Sequence, residues 1–347
     1  MDVRERVRIG LVAVAMVAAM AGGAPRSTQA AAPRPAACDM TAASRWIQEW
    51  LAAWELTSRE ILGLPDVPAP GLVFFDSLCV FSTLPVAAPG AKAQKGPSLR
   101  GESLRWYATP HGDTLRLPTR RQEVTLLSFT DNDPRHGPYF VMAAPSYWAS
   151  RVGATAAQPG GMTGVFLHEF THTRQMAGVG KIIGPIDKSW KFEKELDDDA
   201  VQHRFGKDSV YVASYLEERD RFWLAAAAGP RDSVRLLAAE ALAMMRARRE
   251  KYFTGDDAVF ATLDDLWLSM EGAAQWTAAA WLAHPKGGGL TRDAAITRML
   301  GRRRWWSQDE SLAIFLVVDR LLAGWPKLVF RDPSAGVLEL LEKATKE

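Results

Sequence analysis

The chain has 347 residues, 48% of them apolar and 24% charged, and its 42 lysines and arginines nearly match 40 acidic residues for a formal charge of +2. Near-neutrality excludes a general polyanion binder, and a total of two cysteines excludes a disulfide-dense scaffold. The length and apolar content suffice for one large domain or two closely packed lobes.

Residues 1–32 open with the basic "MDVRERVR", continue through the apolar "IGLVAVAMVAAMAGG" and end in the small residues of "STQAAA". This is the pattern of a secretory signal peptide. The run is too short and too Gly-rich for a spanning helix, so the expected location is secreted or periplasmic, with no stable membrane insertion after cleavage. Cleavage removes Arg4, Arg6, Arg8 and Arg26 against Asp2 and Glu5 and leaves the mature chain formally neutral. Cys38 follows "PAA", a poor lipidation context, and Cys79 is the other cysteine. In an oxidising compartment the two form one bridge; otherwise they are two unpaired thiols, with Cys79 buried as a small hydrophobe.

Residues 33–150 read as a helix and a β-rich region. Trp46, Ile47, Trp50, Leu51 and Trp54 recur at helical spacing between Thr41 and Leu62, and "GLPDVPAPG" stops the helix. The runs "GLVFFDS", "LCVFST", "EVTLLSFT" and "PYFVMAAP" are β-like and are separated by Pro- and Gly-rich stretches. They predict a small, mostly antiparallel sheet.

Residues 151–347 read as a helical region. Apolar spacing predicts helices at roughly 162–178, 188–206, 208–228, 231–253, 260–283, 291–300, 307–323 and 335–346. The expected class is α+β, a small sheet followed by a large helical half forming one compact unit with residues 33–150. "GRRRWW" (301–306) is basic and aromatic, but it is isolated and precedes the capping signal "SQDE" at Ser307 to Glu310. A solvated connection between helices is the better reading, and no nucleic-acid partner is expected.

The chemistry is concentrated in "GVFLHEFTHTRQ", residues 164–175. On a helix His168 and His172 are one turn apart on one face, so both imidazoles reach a single ion, and Glu169 projects beside it. Two neutral nitrogens hold Zn²⁺, the ion acidifies a water, and the neighbouring carboxylate takes its proton as attack begins. A chance match to the five-residue pattern arises on the order of once per hundred sequences of this length. The apolar setting "VFLHEF" makes two idle histidines costly to bury.

A catalytic zinc has three protein ligands, so a further one is required. "TRQMAGVG" after His172 excludes a third histidine in the HExxHxxGxxH register. Glu271 in "LWLSMEGAAQW" is an acid inside an apolar helix, where an unpaired carboxylate is expensive, and the small residues after it allow close packing on the motif helix. Glu195 in "KELDDDAVQH" is the alternative, although its charged neighbours make a solvated face the simpler reading there.

"HEFTHTRQ" followed by "SMEGAAQW" resembles the gluzincin metallopeptidases, whose third zinc ligand is a glutamate on a later helix, and especially bacterial members with an HExTHxxQ and EGxAxW/Y pattern. The match covers about twenty residues of the chain. The resemblance implies a thermolysin-like metallopeptidase core, an edge strand that aligns substrate, His168, His172 and Glu271 as zinc ligands, and Glu169 as general base and acid. Glu271 lies much farther past His172 than in the best-known members, whereas Glu195 fits their shorter spacing. The apolar surroundings of Glu271 decide in its favour, and the helices between 188 and 253 would then be an insertion walling or capping the cleft. Tyr211, Tyr215 and His203 in that insertion are candidates for stabilising an oxyanion; His111, His136 and His284 sit in turn settings and take no role.

The expected function is therefore an exported zinc-dependent hydrolase, a metallopeptidase acting on a peptide or protein substrate. Two rivals stand beside it: a non-catalytic exported zinc-binding protein of the same fold, and a zinc amidase acting on cell-wall material.

Overall fold

A computed structural model describes residue 38 and residues 40–153, 159–194, 196–301, 303–331 and 335–346. The segment read as a signal peptide lies outside these residues. Among the described residues no helix is long and apolar enough to cross a membrane.

The opening tryptophans form α1 (Thr41–Leu56), which runs on through a π-helical turn at Thr57–Ile61. "GLVFF" becomes β1 (Gly71–Phe75), buried at every position, and β2 (Cys79–Ser82) pairs back on it with Phe74 opposite Phe81. Two hairpins missed by the alternation rule follow, β3 (Ser98–Leu99) with β4 (Glu102–Ser103), and, after β5 (Tyr107–Pro110), β6 (Thr114–Arg116) with β7 (Arg121–Glu123). Strands of two or three residues are too short to show a period of two. The last run splits into the hairpin β8 (Ser128–Asp133) and β9 (Gly137–Ala143). Its turn is built by Asp133, whose Oδ1 accepts from the backbone amides of Arg135 and His136, and by Gly137 at φ +74°.

The five-stranded sheet has the order β5-β2-β1-β9-β8. It is mixed rather than purely antiparallel, because β1 and β9 run parallel with Gly71 opposite Tyr139. The long connection between them makes that pairing feasible, and burial on both faces explains the unbroken apolar runs of the two strands. One bridge, Cys38 to Cys79, ties the start of the described chain to β2, so the paired reading of the cysteines holds.

Beyond the sheet come α2 (Pro145–Val152), α3 (Pro159–Thr171), α4 (Met176–Ser189), α5 (Ala200–Phe205), α6 (Ser209–Ala227), α7 (Arg231–Tyr252), α8 (Val259–Ala283), α9 (Arg292–Leu300), α10 (Trp306–Leu321), α11 (Trp325–Arg331) and α12 (Val337–Lys346). The class is α+β with a large helical part, as composition and spacing indicate. Three expectations are corrected. The helix expected over 162–178 is broken at His172–Arg174 by a 3-10 turn, where the hydroxyls of Thr171 and Thr173 bond back to the carbonyls of Leu167 and Phe170. The helix expected over 188–206 shrinks to α5, because Trp190 and Phe192 turn inward onto Phe260 while Asp197 accepts the amide of Asp199 in a local turn. Ser307 does not cap α10; it lies inside the helix and donates to Asp199 Oδ1 at 3.3 Å.

Aromatic rings bind the two parts. Trp50 stacks on Phe166 with centroids 5.1 Å apart, Trp54 meets Phe170 edge-on at 5.0 Å, and Phe140 of β9 contacts both phenylalanines. Together these clamp α3 between α1 and the sheet. α8 is buried almost throughout its 25 residues and packs on α3, α9 and α10. A helix buried on nearly every face is a central helix. Gly272 sits where α8 crosses α10: a Cβ there would overlap the Phe315 ring and stand 2.9 Å from the carbonyl oxygen of Ser311. Gly272, directly after Glu271, thus serves the contact with α10, while the expected packing of α8 on the motif helix α3 is present as well.

Candidate metal centre

His168 lies in the last turn of α3, His172 opens the 3-10 turn after it, and Glu271 comes from the middle of α8. Packing of α3 against α8 brings the three together. His168 Nε2 lies 3.2 Å from Glu271 Oε2 and His172 Nε2 lies 3.3 Å from Glu271 Oε1, and the two imidazole rings are nearly perpendicular with centroids 5.0 Å apart. Their ligand atoms all fall within 4.8 Å of one another. His168, His172, Glu169 and Glu271 are each at most 1% exposed.

Despite the short approaches, alignment is poor, and His168 Nε2, His172 Nε2 and both carboxylate oxygens of Glu271 have no hydrogen-bond partner among the described residues. Several orphaned polar atoms facing one another in a dry site are costly unless something joins them. The spacing suits a cation: ligands about 2.0–2.1 Å from a tetrahedral zinc are themselves about 3.3 Å apart, close to both observed nitrogen–oxygen distances. Two imidazoles and a carboxylate are also a donor set that zinc accepts. The group is thus able to hold a metal ion.

The surroundings prepare these atoms. Burial would by itself push Glu271 up, but the facing His168 and His172 outweigh it and hold the carboxyl below its usual range. Burial lowers His168, with Glu271 opposing, which keeps a lone pair available on the ring. His172 Nδ1 is 2.8 Å from Gln175 Oε1, an acceptor that fixes the proton on Nδ1 and leaves Nε2 to face Glu271. Gln175 is in turn braced by its amide against the carbonyl of Met270 at 3.5 Å. The sequence contains this residue in the motif, but only the fold reveals its bond to His172.

Glu169 is anchored through its backbone, whose carbonyl accepts from Thr130 Oγ1 of β8 at 3.0 Å. Its side-chain Oε2 has no partner among the described residues. Burial first, and then the charge of Glu271, push its carboxyl well above the usual range.

Other candidates are placed elsewhere. Tyr211 accepts from Arg248 Nη1 at 2.6 Å, Tyr215 donates to the Trp306 carbonyl at 3.3 Å, and His203 Nδ1 is 3.4 Å from Asp197. None of the three belongs to the group of ligand atoms formed by His168, His172 and Glu271. α6 and α7 pack on each other and on α10, so this part of the expected insertion braces the helical region. Turn settings hold for His111, which is 2.9 Å from the Asp76 carbonyl, for His136, which faces Asp133 at 2.7 Å, and for His284, which accepts the amide of Lys286. Glu195 lies outside the described residues. Compared with models of known families, with characterised proteins and with solved structures, the chain gives no significant match.

Proposed function

We propose that this chain is a zinc-dependent hydrolase of the gluzincin type, a metallopeptidase that acts on peptides or proteins outside the cytoplasm. The observation that carries the reading is the convergence of orphaned, fully buried atoms from His168, His172 and Glu271, with Glu169 next in the chain to His168, its Oε2 unpartnered among the described residues and its carboxyl within the influence of Glu271. His168, His172 and Glu271 would hold the ion. Zinc supplies Lewis acidity, which makes water nucleophilic near neutral pH and polarises a carbonyl. With a cation beside it to bring its raised carboxyl down again, Glu169 would take the proton of the attacking water and return it to the leaving amine, a transfer that needs no covalent intermediate. β8 supports the thermolysin-like reading: it is an edge strand of the sheet and touches the motif helix at Glu169. The Cys38–Cys79 bridge supports an oxidising compartment.

The non-catalytic reading is favoured by one feature, the near-zero exposure of all four residues. One experiment separates the two. Purified protein is assayed for metal content and then digested against a peptide library, alongside Glu169→Gln. One zinc per chain with cleavage by wild type and a loss of about 10²–10⁴-fold in the variant supports the hydrolase; full zinc with no cleavage leaves the binding protein.

A further inference from the structure

A second acidic place lies one to two turns along α8 from Glu271. There a cavity of about 20 Å³ is lined by Asp198, Asp199, Asp264, Glu310, Trp267 and Trp306. Trp267 and Asp264 precede Glu271 by four and seven residues, which puts them on its face of the helix, about 6–10 Å away along the axis. Asp199 and Trp306 are half-buried and form the rim, whereas Asp198, Asp264, Trp267 and Glu310 are buried and form the floor.

Acidic groups here outnumber the cations that reach them. Asp264 is answered by Arg248 and Arg249, but Arg248 is already engaged by both oxygens of Glu218 and by Tyr211. Arg219 and Arg303 are taken by Asp309. Glu310 is 1% exposed, and its Oε1 has no hydrogen-bond partner among the described residues. Asp199 receives the Ser307 hydroxyl and the influence of the exposed Arg304. Burial drives Asp198 and Glu310 well above the usual carboxylate range and Asp199 up to about 7. The empty cavity therefore keeps these carboxyls largely protonated, with room for a water, and a cation that enters is held by the carboxylates formed as it displaces those protons.

The shape of the site narrows the occupant. The four carboxyls do not converge: among the described residues, the group of three ligands close enough for one metal ion is His168, His172 and Glu271. Spread carboxyl oxygens beside aromatic neighbours suit a group with three diverging donors and a positive charge that favours ring faces. The volume admits one water-sized head and excludes a planar guanidinium. We propose that this cavity is a recognition pocket for a primary ammonium group, either a lysine side chain or the amino terminus of a peptide, which directs the neighbouring bond toward Glu169 and the metal centre. As a substrate pocket it rests on the hydrolase reading.

The test is calorimetric titration of the zinc-loaded full-length mature protein with n-pentylammonium, glycinamide and 1-pentanol. The first mimics a lysine side chain, the second an amino terminus, and the third has the length of the first without its charge. Either ammonium probe should bind at least about ten-fold more tightly than the alcohol, and the better one identifies the source of the amine. Glu310→Gln and Asp198→Asn, each with unchanged zinc content and melting temperature, should each weaken that probe by about ten-fold or more. Equal binding of pentanol, or ammonium binding unchanged in both variants, overturns the proposal and leaves the cavity to a buried water. Ammonium binding that is lost in the variants, by a wild-type protein that cleaves no peptide, keeps the pocket and overturns the hydrolase reading instead.

Discussion

Glu169 on α3 and Glu271 on α8 are both buried carboxyls, yet their surroundings differ. Glu271 lies 3.2 and 3.3 Å from two imidazole nitrogens, whereas Glu169 Oε2 has no hydrogen-bond partner among the described residues. Replacing Glu271, His168 or His172 with alanine should therefore release the metal, read by elemental analysis after dialysis, whereas Glu169→Gln should retain it and lose turnover. Gln175→Ala tests the bond that orients His172: partners of this kind typically change metal affinity by about 10–100-fold, measurable by competition with a chromophoric chelator. An unchanged affinity would mean that His172 is held by packing alone. At this scale the sequence was most informative, because His168, Glu169 and His172 lie within five residues and helical geometry alone puts them together. Glu271 was legible by a different route, as an acid with no sequence neighbour to compensate it. The partner of Gln175 was not legible, since a glutamine three residues after a histidine is equally at home on a solvated face.

At the scale of elements, the position of Glu271 depends on how closely α8 can approach its neighbours. Gly272→Ala would gain about 1 kcal/mol of helix propensity, but the added carbon meets a buried ring and a backbone carbonyl that cannot swing aside. Overpacking of this kind costs about 1–3 kcal/mol or more, so the variant should be less stable than wild type, read as a lower midpoint in urea unfolding. A midpoint equal to or above wild type would show that α10 yields at this crossing. Periodicity identified α6, α7, α8 and α9 because their apolar residues recur over several turns. It failed from Trp190 to Asp199, where two aromatic residues at a spacing of two dock on Phe260 and an aspartate closes a turn. It also missed the 3-10 turn at His172, since hydroxyls bonding back to the main chain leave no mark on an apolar pattern.

For the whole molecule, the Cys38–Cys79 bridge closes a loop of 41 residues that contains α1 and β1. Constraining a loop of that length in the unfolded chain stabilises the fold by about 4 kcal/mol on the entropic model. Cys38→Ser with Cys79→Ser should accordingly lower the unfolding midpoint under oxidising conditions and abolish the sensitivity of wild type to reductant; a double variant as stable as the oxidised parent would mean that packing of α1 on the sheet suffices. By itself the sequence determined the class of the fold, its order of a β-rich part before a helical one, and the residues suited to a metal, because these follow from local periodicity, composition and the spacing of side chains along one helix. Only the tertiary structure decided that β1 runs parallel to β9, that the two cysteines are joined, that Glu271 meets both histidines, and that four carboxyls share a cavity beside them. Each of these brings together residues from separate elements, and such contacts are selected by the packing of whole faces, for which a single chain of letters offers many arrangements of similar local quality.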